Sequence, residues 1–440
     1  MQRIPFEWNG LRSTSFAVAH VLFGKPVSTF LEHALASRRL RRDRSTSADT
    51  TVVPAVRRPG TEKVSEAILI VGAGFAGSTY ARELAEHGFS VQIIDKRPHV
   101  GGNAYDEIAP SGVRIHKYGP HLFHTNNEEV VLWLARFGEF VPYQHKVQAE
   151  LADGSCVPLP INRRTINAVF GTDLKDEAAV RAFLASQAIS IAAPANAAEY
   201  LYANIGKPLT ELFFRPYTHK MWGRDLEDMD ASVVKRVPIR YDDEDRYFPT
   251  DRFQILPRHG YTGVFERMLD HPNIRINLAQ PFDRSLMRGF VHCFNSMPID
   301  EYFDQRFGPL PYRSIRFHHE DVPAAYGKGY ATVTNYTDAE RFTRETDWSR
   351  MPGHRVIEGP LKTVTREEPC DYQDNDLERY YPVNTSDGRY DRAHDSYRAL
   401  AERVGNMTFI GRCGTYQYLD MHQVINQSLM GVRRSIYNLG

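Results

Sequence analysis

Hydrophobic and polar positions divide the chain into segments with two different periods. Ile68-Leu69-Ile70-Val71 is an unbroken apolar run, the pattern of a strand covered on both faces. Directly after it the period becomes helical and holds through Glu86, and Ser90–Ile94 then reads as a second strand. Residues 128–138 are amphipathic at a helical period. Val147–Pro158 alternates like a hairpin folded at Asp153-Gly154. From Arg164 to Lys235 apolar positions recur at three and four, which predicts a helical insertion. Gly260-Tyr-Thr-Gly263 leads into an amphipathic helix ending at Leu269, and Ile274–Leu278 and Gly289–Asn295 read as strands returning to the first domain. Ile315–His318, Tyr330–Tyr336 and Val356–Ile357 read as strands without intervening helices, so an antiparallel sheet is expected as a third layer. Met407–Gly414 is a strand entering a Gly/Arg turn, and a helix follows from about Asp420 to Tyr437.

The junction between the first strand and helix carries chemistry. Gly72-x-Gly74-x-x-Gly77 permits a tight turn, a close approach of pyrophosphate to the backbone, and contact of helix with strand. The N–H groups of the first helical turn then face a phosphate. Asp95, at the end of the second strand, is placed to accept both ribose hydroxyls. Lys96-Arg97-x-x-x-Gly101-Gly102-Asn103 returns a second glycine pair to the same loop. Nicotinamide enzymes have no general need of that pair, whereas a flavin dinucleotide lying extended across the domain does, so FAD is expected ahead of NAD.

Composition narrows the partners. With 54 Lys+Arg against 54 Asp+Glu, the balance points to neither nucleic acid nor a membrane surface. Four cysteines without a CxxC read as packed thiols in a reducing, cytoplasmic compartment. The 23 Tyr and 24 Phe exceed what a flavin needs and fit a site that stacks a large ligand. Residues 1–65, with arginines crowded at 38–44, read as a flexible extension, a misassigned start being the competing reading. Phe16–Phe23 is too short to span a bilayer. His116, His121 and His124 cluster around Gly119-Pro120. Without cysteines or carboxylates at ligand spacing they read as stacking or hydrogen-bonding groups, and no metal is expected. Tyr217 and Trp222, five apart, fit either core or ligand.

Taken together, GAGFAG, IIDKR, GGNAY, HKYGPHLFHTN, PYTHKMWGR, KRVPIR, FGPLPYRS, NYTD, RYYPVN and YLDMHQV resemble the bacterial UDP-galactopyranose mutase family in order and near its spacing, from about residue 66 to the end. The resemblance implies an α/β (α+β overall) fold. A Rossmann-like FAD-binding domain (66–140, 257–304 and 376–440) would carry an inserted helical uridine domain (164–240). An antiparallel β-sheet domain (305–375) would be joined by sheet segments 141–163 and 241–256. It implies an isomerase active only with reduced FAD, interconverting UDP-galactopyranose and UDP-galactofuranose. In the family's mechanism flavin N5 attacks the anomeric carbon, UDP departs, an iminium opens the ring, and the sugar recloses, supplying galactofuranose for cell-surface polysaccharide.

Site residues carry over motif by motif. Arg236 and Arg344 match the two diphosphate-binding arginines, a pairing suited to a guanidinium because its donors are forked and always charged. Tyr247, Tyr381 and Tyr418 match phosphate-holding tyrosines. Tyr217 and Trp222 match the pair flanking uracil, with Phe213 and Thr218 nearby. Arg313, Asn335 and Glu367 match polar residues of the sugar and diphosphate region. His121 and His124 match the loop against the isoalloxazine, where they are expected to position flavin and sugar and to help stabilise the anionic reduced ring. Gly72, Gly74, Phe75, Ala76, Gly77, Asp95, Lys96, Gly102, Asn103, Arg412, Asp420 and Met421 match the FAD cradle. His145 departs from the family, which often has asparagine there. A flavin reductant is implied and a homodimer is compatible. The competing readings are a flavin amine-oxidase-like oxidoreductase, which wants an apolar amine cage, and a prenyl-GTPase escort protein, which lacks a working dinucleotide fingerprint.

Overall fold

The computed structural model describes residues 67–235, 238–383 and 388–439. The 1–65 extension and Arg236 lie outside the described residues. Four parallel pairings build the central sheet. β1 (Ala67–Val71) lies between β2 (Ser90–Ile94) and the strand His292–Asn295. Ile274–Asn277 flanks β2, and Met407–Phe409 closes the other edge. The apolar run explains the position of β1. Ile68 and Ile70 enter one core, Leu69 and Val71 the other, and none of the four exceeds 7% exposure. On the first face α1 (Phe75–Glu86), the helix Gly260–Leu269 and the C-terminal helix Met421–Leu439 pack around Tyr80, Leu84, Tyr261, Phe265 and Leu429. Phe282, Leu286, Met287 and Tyr302 pack against the second core.

The turn from β1 to α1 needs its glycines. Gly72 has a φ of 99°, and a Cβ on Gly77 would stand 1.9 Å from Gly72 O, so strand and helix touch only with glycine at 77. Gly101 N–H donates to Ala73 O at 2.9 Å, which draws the second glycine pair against this turn.

The second sheet has seven strands in the order Tyr381–Pro382, Tyr312–Pro323, Leu361–Asp371, Arg344–Asp347, Val333–Tyr336, Val147–Glu150, Cys156–Leu159. Five of its six pairings are antiparallel. Val333–Tyr336 runs parallel to Val147–Glu150, which the long intervening excursion permits. Val356–Ile357 is not a strand. Both N–H groups donate to Gly112 O in a loop, and Ile357 is 61% exposed. The strand in this region is Leu361–Asp371, whose buried positions include Lys362, Thr363, Thr365 and Glu367, polar residues that hide the alternation. Segments 141–163 and 241–256 contribute to different sheets. Phe253–Pro257 joins Phe140–Pro142 and Phe123–Thr125 in a small sheet, while the 147–159 hairpin belongs to the large one.

The inserted helices have their own core, formed by Ile166, Val180, Leu184, Leu201, Ile205 and Leu209. Asn162, Asp176 and Asn196 cap Arg163–Phe170, Glu177–Gln187 and Ala197–Leu209. Thr210–Phe214 then forms one π turn before the helix Arg215–Trp222, and that wider turn presents Phe213 and Phe214 to the central cavity.

Gly77→Ala is expected to force the helix off the strand, costing roughly 1–3 kcal/mol as an overpacked contact. It should lower the melting temperature and the amount of bound dinucleotide together. Gly405→Ala, where an added Cβ meets nothing within 4 Å, is the control and should change neither.

Candidate functional site

A single cavity of about 690 Å³ runs from the β1–α1 turn to the inserted helices, towards the upper end for small-molecule sites. Gly72, Gly74, Phe75, Ala76, Asp95, Lys96, Gly102 and Asn103 line one end. α1 begins at Gly74 with no side-chain cap and no acid in its first turn, which leaves its N–H groups for an anion. Asp95 Oδ2 accepts from Ala73 N at 2.7 Å and Oδ1 from Arg97 N at 2.9 Å. Each oxygen keeps a further acceptor position for a ribose hydroxyl. Lys96 and Arg97 both pair with Glu378, at 3.0 and 2.6 Å, and Arg97 also donates to Asn103 Oδ1. This donor and acceptor set fits a dinucleotide. Gly77 does not line the cavity; its part is the contact with Gly72.

The histidine loop follows. His121 Nδ1 lies 2.8 Å from Gly119 O and must donate to it, while its backbone N–H donates to His116 Nδ1 at 3.0 Å. Burial pulls the His121 pKa down to about 4, against the Gly119 bond and with help from Arg412, Arg344 and Arg97. The ring is therefore neutral with Nε2 an acceptor. That corrects the expectation that His121 donates to an electron-rich flavin. His124 is held by a carboxylate. Its Nδ1 lies 2.6 Å from Asp251 Oδ2, and the ring stacks on Phe248 at 3.6 Å. Asp251 thus holds the hydrogen on Nδ1, and Nε2 carries one as well only in the imidazolium form.

Strand register builds the other end. Asn335 lies opposite Arg344, and Arg344 opposite Glu367, so three neighbouring strands place these side chains in one row on one face. Glu367 is 1% exposed, with Oε2 2.8 Å from Arg344 Nε. Burial favours the neutral guanidine, but Glu367, Tyr217 and Tyr381 outweigh it and hold Arg344 protonated. Glu367 does not line the cavity, whereas Arg344 and Asn335 do. Asn335 Oδ1 and Arg412 Nε are buried without a hydrogen-bond partner among the described residues. Arg412 Nη2 donates to Tyr380 O, and its guanidinium lies over the rings of Tyr381 and Tyr418 at 5.4 and 5.1 Å.

Tyr217, Tyr247, Tyr381 and Tyr418 also line this end. Burial pushes Tyr217 up to about 12 and raises Tyr247 and Tyr381 as well, so these three hydroxyls remain donors. Phe213, Asp420 and Met421 reach the cavity, but Thr218, Trp222 and Arg313 do not. Five residues along a helix turn the direction by about 140°, and the Trp222 ring packs 6.4 Å from that of Tyr381. Thr218 is buried. Arg313 corrects its expected role, because its Nε donates to Met221 O at 2.9 Å and its Nη2 to Lys220 O, capping the helix that carries Tyr217. From that helix Lys220 Nζ donates to Tyr336 O and Phe342 O, at 3.2 and 2.9 Å, holding the turn that leads to Arg344.

Sequence reasoning passed over Phe248, Asp251 and Tyr380, and noted His145 without a role. Phe248, Tyr380 and His145 line the cavity. Asp251 and Phe248 belong to YDDEDRYFPTDRF, whose acidity reads as an exposed crossing; the aromatic pair inside it was the available signal.

Three buried rings give an acid-side prediction. His121 and His354 are drawn to about 4 and His145 to about 3, chiefly by burial. Depressed histidine values mean that the unfolded chain binds more protons below about pH 6.5, so stability is full above that pH and falls as pH drops towards 4. The loss is on the order of 2 kcal/mol per ring by pH 5. Melting temperature against pH should fall over this window, and His121→Asn should flatten the slope.

Comparison with known proteins agrees with this geometry. Residues 212–418 match the UDP-galactopyranose mutase family model, and residues 70–137 match an NAD(P)-binding Rossmann-like domain. A probable UDP-galactopyranose mutase of Klebsiella pneumoniae is 39% identical over 366 residues, covering 82% of this chain and 92% of that protein. A dTDP-fucopyranose mutase of Escherichia coli is 36% identical over 373 residues, covering 82% and 96%. A crystal structure of reduced UDP-galactopyranose mutase superposes with a TM-score of 0.65 over 85% of this chain and 94% of that one, at 16% identity, which speaks for the fold. The chain belongs to the UDP-galactopyranose mutase family.

Proposed function

We propose that the protein interconverts UDP-α-D-galactopyranose and UDP-α-D-galactofuranose, with FAD in the cavity and active in its reduced state. The observation that carries this reading is the sharing of one cavity by a dinucleotide turn and by the Arg344 cluster. A redox enzyme acting on an uncharged substrate has no use for the second. Reduced FAD, when bound, supplies the nucleophile, its N5, for the anomeric carbon.

The chain's own residues manage the departing and returning diphosphate. Arg344 presents a guanidinium whose Nη groups hydrogen-bond no described residue, and Tyr247, Tyr381 and Tyr418 add hydroxyls around it. Their interactions strengthen as charge develops on the leaving oxygen, so they act on the barrier as well as on binding. Phe213 and Tyr217 flank the base, and Arg236 is assigned the second diphosphate contact from its motif. Glu367 fixes Arg344 from behind. His124, oriented by Asp251, faces the flavin. In this reading the furanose product supplies cell-surface glycans. The Escherichia coli relative favours a second reading, in which a deoxyhexose on a nucleoside diphosphate is the substrate.

The flavin-loaded protein, reduced with dithionite, should isomerise UDP-galactofuranose, and the air-oxidised protein should not. Equal turnover in both states would sink the N5 reading. A panel including dTDP-fucopyranose separates the two substrates by kcat/KM. Arg344→Lys keeps a cation beside Glu367 but loses the fork, so kcat should fall about a hundredfold, toward the cost of one lost transition-state contact, with little change in melting temperature. Arg344→Ala should in addition destabilise by roughly 3–5 kcal/mol, because it strands a buried carboxylate. Wild-type kcat in a folded Arg344→Lys would remove Arg344 from the diphosphate site.

A further inference from the structure

The two strands that hold Arg344 and Glu367 carry the same dipeptide, Arg344-Glu345 on one and Arg366-Glu367 on the other, and they run antiparallel. Their register therefore sets Arg344 opposite Glu367 on the cavity face and Glu345 opposite Arg366 on the reverse face. Glu345 does not line the cavity and is only 4% exposed. Its carboxylate is met by three groups. Arg366 Nε and the Tyr336 hydroxyl each donate to Oε2 at 3.0 Å, and the Tyr326 hydroxyl stands 3.0 and 3.1 Å from the two oxygens. Tyr336 ends the strand that bears Asn335. The doubled pair makes any other register costly. A shift of one residue sets Arg344 against Arg366 in one direction and Glu345 against Glu367 in the other. A shift of two leaves Arg344 beside Thr365 or Pro369, with Glu367 stranded in the interior.

We infer that Glu345 is a positioning residue for the diphosphate: held behind the sheet by Arg366, Tyr326 and Tyr336, it fixes the strand from which Arg344 reaches the cavity. This rests on the function proposed above. Glu367 alone does not provide that constraint, because an ion pair on the cavity face ties two side-chain heads together and leaves their strands free to adjust. The reverse-face pair ties residue 345 to the neighbouring strand, and Tyr336 ties it to the strand of Asn335 on its other side. The Arg344 guanidinium and the Asn335 amide are thereby held to one frame. Glu345 touches no ligand and acts through its neighbour in sequence. Glu320 also pairs with Arg366, at 3.3 Å, but it is 43% exposed and imposes no such constraint.

The test compares flavin-loaded wild type, Glu345→Gln, Tyr336→Phe and Glu320→Gln. Turnover of UDP-galactofuranose is read on the reduced protein, and affinities for UDP and for uridine are read by calorimetry on the oxidised protein. Glu345→Gln keeps the shape and loses the charge. Its kcat should fall about tenfold, a part of the roughly hundredfold that misplacing a positioned group can cost. It should bind UDP more weakly, while uridine, which has no phosphate, binds as before. Tyr336→Phe removes one donor and should show a smaller loss of the same kind; it serves alone should Glu345→Gln not fold. Glu320→Gln should match wild type. Wild-type kcat in the folded Glu345→Gln and Tyr336→Phe variants overturns the proposal. So does an equal loss of affinity for uridine and UDP, the mark of general loosening, and so does a Glu320→Gln as impaired as Glu345→Gln. A wild type that turns over UDP-galactofuranose beside unaltered variants overturns only the role of Glu345. A wild type that neither binds UDP nor turns over the sugar nucleotide overturns the proposed function as well.

Discussion

A guanidinium held away from water must be answered by charge, and much of this molecule follows from how Arg344 is answered. Glu367 meets it from one side at 2.8 Å. Leaving either partner alone in the interior is costly, on the order of 3–5 kcal/mol, so the strand register that sets Arg344 opposite Glu367 is fixed by electrostatics as well as by backbone pairing. The same register brings Asn335 alongside. The cavity face of Arg344 is left with neutral hydroxyls around it. In the proposed function an entering diphosphate then meets a cation already oriented and already relieved of water, which is the arrangement that favours developing negative charge.

The remaining polarity of the cavity complements that cation. His121 and His145 are both held neutral, and Tyr217, Tyr247 and Tyr381 are all held protonated. Positive charge at the sheet end of the cavity sits on Arg344 and Arg412, the groups that the proposed function gives to phosphate.

Local signals exposed the dinucleotide half of the site in the sequence. Gly72, Gly74, Gly77 and Asp95 lie within one strand–turn–helix unit, and each residue's purpose follows from backbone sterics. The sheet half was less legible. Leu361–Asp371 buries Thr, Lys and Glu in place of aliphatics, so its alternation reads as polar chain and Glu367 comes without a flanking pattern. Arg313 illustrates a different limit. Its identity suits a phosphate, but its service as a helix cap depends on where the chain brings Met221 O, which no local pattern encodes. Spacing left Trp222 open between core and ligand, and only the family motif set it beside Tyr217, whereas five residues turn the two side chains about 140° apart on the helix. His145 could be singled out as a departure, while its contact with Tyr143 and, through it, with Thr332 depends on chain 189 residues beyond Tyr143.

Lys220 has a consequence for energy flow within the site. Its ammonium ties the helix bearing Tyr217 to the carbonyls of Tyr336 and Phe342, at the two ends of the turn between Asn335 and Arg344. The helix assigned to the base and the strand assigned to the phosphate in the proposed function are thus two ends of one mechanical unit. Any free energy gained by settling the pyrimidine at one end is available to hold the guanidinium at the other, and linkage requires the exchange to run both ways. A nucleotide base far from the reacting carbon then becomes an instrument of rate: a substrate stripped of its base would forfeit speed at saturation and not merely occupancy.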